Sequence, residues 1–261
     1  MQTKNTFALA VRHIVLAASI VACVVAASSA LASPLDWVAG DRVQGSGTIK
    51  KQARELAHFT GVSLSLPATM ELRIGNSENI TIETDDNLLP LIETAIENGV
   101  LKIRPLKRNA NLQARSMKIV VNAKSVERLS LGGSGSIDSD ALRGGKLQFD
   151  LGGSGSIRLK GMEGDSVAIS VGGSGNLKSG AGKAGSVSVS IGGSGDVDVG
   201  QVQVKDASVS VAGSGTAVVW ASGALSATIA GSGDVNYYGD PKVSHTVIGS
   251  GGTRRLGGAP R

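Results

Sequence analysis

Between residues 116 and 251, apolar side chains fall at every second position in short runs. Leu147, Phe149 and Leu151 are separated by Gln148 and Asp150; Val167, Ile169 and Val171, then Val187, Val189 and Ile191, then Ala207, Val209 and Val211 repeat the arrangement. Successive side chains of a strand point to opposite faces, so each run predicts a strand with one buried face. A second, shorter strand begins after each run, with Ile137, Ile157, Leu177, Val197, Ala217 and Val235 in equivalent places.

A fixed phrase separates the strands. Gly132-Gly133-Ser134-Gly135-Ser136 returns from Gly152, Gly172 and Gly192, every 20 residues, and three more copies start at Gly213, Gly231 and Gly249, with the shorter spacing of 18 residues between them. Such a period marks stacked units, each too small to bury its own apolar face. Strand, glycine corner, strand and second corner make one rung of a solenoid, with each strand about 4.8 Å from its counterpart in the next rung. The expected fold is all-β, a parallel β-helix with rungs of 18 to 20 residues. Its structural corners are Gly133 and Gly135, Gly153 and Gly155, Gly173 and Gly175, Gly193 and Gly195, Gly213 and Gly215, and Gly231 and Gly233. Glycine is abundant, 37 residues in 261. The aliphatic alternation nevertheless argues against a flexible linker, which has no need of it.

Upstream the pattern is less regular. Residues 33–108 predict an amino-terminal β part, with alternation through Val62, Leu64 and Leu66, through Met70, Leu72 and Ile74, and at Ile80 and Ile82. One short covering helix is expected there. Asp86 or Asn87 would cap it, Leu88, Leu91, Ile92, Ala95 and Ile96 would share its buried face, Pro90 is tolerable in its first turn, and Asn98-Gly99 would stop it. Residues 109–115 predict a loop, residues 116–251 the regular repeats, and residues 252–261 a polar tail.

The first residues add a compartment. Lys4, Arg12 and His13 precede the apolar run Ile14 to Ala27, and Ala30-Leu31-Ala32 precedes Ser33. This predicts a signal peptide over residues 1–32, cleaved after Ala32, and export to the periplasm or cell surface of a bacterium. A lipoprotein anchored through Cys23, after Ile20-Val21-Ala22, is the minor alternative. Cleavage after Ala32 removes that single cysteine, and with it any disulfide, thiol nucleophile or thiolate metal site. It also removes Lys4 and Arg12 and no acid, leaving a formal charge of +3. That weak charge, with few and scattered aromatics, does not predict nucleic-acid binding.

The motifs carry little chemistry. The glycine clusters lack the Lys-Ser/Thr pair of a phosphate loop and open no clear helix. Gly192-Gly193-Ser194-Gly195-Asp196 resembles a calcium repeat superficially, but Ser136, Ser156, Asn176 and Thr216 fill the aspartate position elsewhere, which fits a polar corner ladder better. No metal site, cofactor or catalytic residue is assigned. His58 is expected at the surface; His245 alternates with Val243 and Val247, which points it inward, with solvent at the open end near the last rung as the alternative. Asp138, Asp150, Arg158, Lys160, Asp196 and Asp198 are expected on the outward face, but no pair among them is singled out for the carboxylate separation that glycosidic hydrolysis needs. Alternation puts Val235 and Tyr237 on one face and Tyr238 on the other. Tyr238, Asp196, Asp198 and Asp234 are the candidate binding residues, Tyr238 as a sugar-stacking ring.

The ordered motifs resemble the auto-transporter adhesin head GIN domain family, a bacterial exported domain of uncertain function. The resemblance covers roughly residues 45–251. It rests on Phe59-Thr60-Gly61-Val62, on Asp86-Asn87-Leu88-Leu89 with Asn98-Gly99-Val100-Leu101-Lys102-Ile103 after it, on the Gly-Ser-Gly corners, and most specifically on Gly231-Ser232-Gly233-Asp234-Val235-Asn236-Tyr237-Tyr238-Gly239-Asp240-Pro241. It implies a parallel β-helix-like fold and supplies no ligand or catalytic residue. The expected function is a non-enzymatic envelope protein, an adhesin-like or scaffold surface for glycan or protein, with self-association through the solenoid ends as one form of partnership. A polysaccharide lyase or hydrolase on a β-helix is the alternative.

Overall fold

The computed structural model describes residues 42–107 and 110–260. The expected signal peptide with its cleavage site, and Cys23, lie outside the described residues. Strand β1 (Arg42–Gln44) leads to β2 (Ile49–Glu55), β3 (Gly61–Leu64), β4 (Thr69–Ile74) and β5 (Asn79–Asp85). After a single 3-10 turn at Leu89–Leu91 come β6 (Ile92–Glu97), β7 (Val100–Pro105), β8 (Asn111–Gln113) and β9 (Lys118–Ala123). The repeat supplies β10 (Arg128–Gly133), β11 (Ser136–Ser139), β12 (Leu142–Gly153), β13 (Ser156–Leu159), β14 (Met162–Gly173), β15 (Asn176–Ser179) and β16 (Gly182–Gly193). It continues through β17 (Asp196–Gly213), β18 (Thr216–Gly231), β19 (Asp234–Tyr238), β20 (Lys242–Gly249) and β21 (Gly252–Gly257).

The repeat forms a parallel β-solenoid. Leu129 lies opposite Phe149, Val167 opposite Val187 and Ile157 opposite Leu177, each 20 residues on. Identical registers from rung to rung stack like on like. Ile103, Leu64, Leu131, Leu151, Val171, Ile191, Val211 and Ile229 form one inward column. All eight are buried, in a single hydrophobic cluster that runs the length of the stack. Fully burying such side chains contributes about 1.5–3 kcal/mol each.

The order of the first rungs is not the order of the chain. The rung made by β3 and β4 lies between the one made by β7 and β9 and the one made by β10 and β11. The chain lays down this second layer, leaves it to build the end of the stack, adds the outer layer, and only then proceeds along the repeat. The end is covered by antiparallel strands: β5 on β9, β2 on β5, and β6 on β7. The exposed strand β2 carries Lys50, Lys51 and Arg54, charges that disfavour edge-to-edge pairing.

The expected covering helix is corrected. Within residues 86–99 only Leu89–Leu91 turn helically, around Pro90, and Ile92–Glu97 form a strand. Asn98 and Gly99 do not stop a helix; with φ of 51° and 75° they make the two-residue turn of a hairpin, in which Glu97 lies opposite Val100. The helical spacing of Leu88, Leu91, Ile92, Ala95 and Ile96 coexists with the alternation of β-branched Ile92, Thr94 and Ile96, and pairing with β7 selects the latter. Arg54 fastens the turn by donating to Leu89 O, Ile92 O and Thr94 Oγ1. Asp86 and Asn87 do act as local anchors. Asp86 accepts from Ser46 Oγ, and Asn87 Oδ1 accepts from Ser46 N, while buried Asp85 takes Gly47 N and Arg115 N.

Two further segments also differ from expectation. Residues 111–113 within the expected loop form β8, paired in parallel with β1, and the expected polar tail begins with β21, paired with β19. Arg254 and Arg255 project from a last rung rather than a solvated tail.

The corner glycines answer two distinct demands. Gly153 has φ of 108°, and a Cβ there would lie 2.6 Å from Gly133 O. Gly155 is buried, and a Cβ there would come within 2.5 Å of Gly135 O and 2.8 Å of Leu131 Cδ2. One residue must adopt a left-handed backbone and the other must let adjacent rungs touch. Between them the serine amide links the rungs, as in Ser154 N donating to Gly133 O at 3.0 Å. The leading Gly152 has open space around its Cβ position, and its counterparts further along are Ala212 and Ala230.

Candidate binding face

The acidic candidates do not converge. Asp196 and Asp234 stand in one outward column, two rungs apart with Thr216 between them. Each carboxylate caps the rung that follows: Asp196 Oδ1 accepts from Thr216 N, and Asp234 Oδ1 from Gly252 N, both at 3.0 Å. Asp198 accepts from Gly200 N at 3.1 Å and pairs with Lys178 at 2.9 Å. Among the described residues no group of three His, Cys, Asp or Glu could hold a metal ion.

A charged ladder runs along the same wall. Glu71, Asp138, Arg158, Lys178 and Asp198 face outward in successive rungs. Arg158 meets Asp138 at 3.3 Å, Lys160 meets Asp140 at 2.8 Å and Arg73 meets Glu71 at 2.8 Å. Glu71, Asp138, Asp140, Arg158 and Lys160 line a shallow groove of about 330 Å³. The hydrogen bond from Lys160, and then that from Ile74 N, hold the Asp140 carboxyl below its usual range; Arg73 does the same for Glu71. A general acid in glycoside cleavage needs a raised value. These two carboxyls are shifted the opposite way, as neutralised structural pairs are.

The histidines stand apart from this wall. His58 is exposed, its Nδ1 2.6 Å from Glu78 Oε1. His245 lies opposite buried Ala227, as alternation predicts, but is itself exposed on the last rung of its wall.

The aromatics do converge. Tyr237 packs against the core, while Tyr238 faces outward, half-buried. Directly opposite Tyr238, on the neighbouring strand β18, is Trp220, also outward and half-buried. Phe59 and Phe149 are fully buried. Among the described residues, then, the two outward aromatics are neighbours on adjacent rungs, about 4.8 Å apart along the stack.

A change of repeat length makes their place. The register advances 20 residues from Asp198 to Val218, but only 17 from Gln203 to Trp220, and 18 from Trp220 to Tyr238. At this step the backbone of Gly200 lies against Tyr238. A Cβ on Gly200 would lie 2.9 Å from Val218 Cγ1 and 3.4 Å from Tyr238 Cε2. On the far side Gly239 packs against Trp220 Cδ1, and its carbonyl accepts from Arg255 Nε at 2.8 Å. The rings are held by backbone on their flanks and keep part of their surface open. Tyr238 is among the candidates legible in the sequence; Trp220 is not. The available signal was their separation of 18 residues, equal to that between Gly213 and Gly231.

Residues 58–241 match the family model described as "Putative auto-transporter adhesin, head GIN domain". Solved structures share the fold. A "putative adhesin" of Bacteroides fragilis NCTC 9343 superposes with a TM-score of 0.77 at 19% identity, covering 82% of this chain and 100% of its own. A "putative lipid binding protein" of Parabacteroides distasonis ATCC 8503 gives 0.68 at 24%, covering 83% and 100%. A "putative adhesin" of Parabacteroides merdae ATCC 43184 gives 0.67 at 22%, with the same coverage. No curated protein matches the chain. Among the described residues no helix is long and apolar enough to cross a membrane. The matched residues span most of the solenoid, including its corners from Gly132 to Gly233, the Asn98-Gly99 hairpin and the Trp220–Tyr238 step, and the chain belongs to the head GIN domain family, as an exported, adhesin-like β-solenoid of the cell envelope.

Proposed function

We propose that the protein binds glycan, and that Trp220 and Tyr238 are the platform on which a sugar ring lies. One observation carries this reading: the outward aromatics of the described chain are two, and they stand side by side in register. An aromatic face attracts the C–H face of a sugar, while the polar rim fixes orientation. Asp198, Asn236 and Arg254 supply that rim along the adjacent column. The rigid parallel sheet positions the platform without a closing loop. Titration of the purified protein with envelope polysaccharides tests this, with tryptophan fluorescence and retention on immobilised polymer as readouts. Trp220→Leu keeps an apolar side chain in the step and removes the ring; it is expected to abolish binding. Unchanged binding would sink the reading.

A second reading, self-association through the solenoid end, is favoured by a separate observation. Of the large hydrophobic side chains exposed among the described residues, Val243, Ile248 and Leu256 belong to the outermost described strands, β20 and β21. A monomeric mass in solution at high protein concentration would remove it.

A further inference from the structure

The geometry points to a carboxylated sugar, a hexuronate unit of an acidic polysaccharide, as the ligand class of the Trp220–Tyr238 platform, an inference that rests on the glycan reading above. The rim carries one cation that no carboxylate among the described residues neutralises by pairing; the acids around it are engaged elsewhere, Asp234, on the same face two residues from Asn236, accepting from Gly252 N through its Oδ1. Asp198 is held by Lys178 and by Gly200 N, and Asp240 lies 3.6 Å from Arg255. Arg254 is different. It is exposed, its Nε donates to the neutral Asn236 Oδ1 at 3.2 Å, and among the described residues no carboxylate pairs with it. That bond fixes the guanidinium by a neutral partner and leaves the two terminal nitrogens for a ligand.

Arg254 is also in the right place. It lies opposite Asn236, one rung on, and Asn236 shares its strand face with Tyr238 two residues away. Those steps are about 4.8 Å across strands and about 7 Å along one. A sugar stacked on Trp220 and Tyr238 therefore brings its ring substituents over the Asn236–Arg254 column. Arginine recognises a carboxylate with two parallel hydrogen bonds, a geometry that a neutral hydroxymethyl group cannot satisfy. Aromatic stacking supplies affinity for the ring and Arg254 selects the acid.

The test compares polygalacturonate with neutral dextran and with polyacrylate, a polyanion without sugar rings, using the full chain, Arg254→Gln and Trp220→Leu at physiological ionic strength. Thermal melts accompany each variant, and the exposed Arg254→Gln is expected to melt as the parent does. The expected result is binding of polygalacturonate that weakens about tenfold in Arg254→Gln, the loss of one charge-assisted contact. Trp220→Leu abolishes it, and dextran binds weakly and indifferently to Arg254→Gln. Equal binding of dextran and polygalacturonate, both lost in Trp220→Leu, would overturn the acidic class and leave the glycan platform standing. Polyacrylate bound as tightly as polygalacturonate would show attraction to charge alone and overturn both, as would binding of no polymer.

Discussion

Tyr238 lies over Gly200 across the step where the repeat shortens, with Cε2 3.4 Å from the position a Cβ on Gly200 would occupy. The contact joins strands that are not hydrogen-bonded to one another, because β18 runs between β17 and β19. Gly200→Ala would place its methyl 2.9 Å from Val218 Cγ1. Overpacking of this kind costs about 1–3 kcal/mol. Urea unfolding is expected to show that loss, together with weaker glycan binding as Tyr238 is displaced. A variant with parental stability would show that the step relaxes freely.

The two kinds of corner glycine separate in a mutational pair. Gly155→Ala drives a methyl onto the Gly135 carbonyl and Leu131, in the middle of the stack, where both neighbours are fixed backbone or buried core. It is expected to cost about 3 kcal/mol or to prevent folding, at the upper end for overpacked cores. Gly152→Ala meets nothing within 4 Å and should stay within about 0.5 kcal/mol of the parent, as surface changes do. Comparable losses in the two would refute the assignment.

The hairpin that replaces the expected helix makes its own prediction. Gly99 has φ of 75°, a left-handed conformation that costs an ordinary residue about 1–2 kcal/mol. Gly99→Ala should be destabilised by that amount, whereas Asn98→Gly, at φ of 51°, should be nearly neutral. A helix stop needs a left-handed residue at one position only, so glycine accepted at position 98 together with a penalty for alanine at position 99 is the discriminating result.

Asp196 offers a check on function against structure. Its Oδ1 accepts the Thr216 amide, and asparagine retains a carbonyl oxygen for that bond. Asp196→Asn is expected to keep both stability and polysaccharide binding, while Asp196→Ala loses about 1 kcal/mol by leaving the amide without its partner. Loss of binding in Asp196→Asn with intact stability would restore the carboxylate as a ligand contact.

Acid should weaken the stack. Asp140 has a depressed folded value, owing to Lys160 and the Ile74 amide, and Glu71 a depressed one owing to Arg73. A group depressed on folding contributes stability above its unfolded value, about 3.9 for Asp and 4.3 for Glu, and that contribution is lost as pH falls through the folded value. The melting temperature is therefore expected to fall below about pH 4, and to fall less steeply in Asp140→Asn. An unchanged acid slope in that variant would mean the pair is too well solvated to matter.

How much of this was legible beforehand follows from what each feature depends on. Alternation with period two comes from the backbone of a single strand, so the inward placement of Val167, Ile169 and Val171 and the separation of Tyr237 from Tyr238 follow from the sequence alone. The 20-residue phrase imposed the rung and its parallel register, because identical rungs gain most by stacking like on like. Three outcomes depended on contacts between distant segments. Residues 92–97 satisfy both a helical and an extended pattern, and the edge offered by β7 chose the strand. The layer of β3 and β4 takes its place between two others that come later in the chain, and no local pattern encodes that order. Trp220 meets Tyr238 in an unbroken 18-residue register, beside the step at Gly200 where the preceding register slips from 20 residues to 17, an adjustment set by how three adjacent rungs pack. Periodicity thus determined the kind of object this chain forms, and tertiary packing decided where Trp220 and Tyr238 would meet.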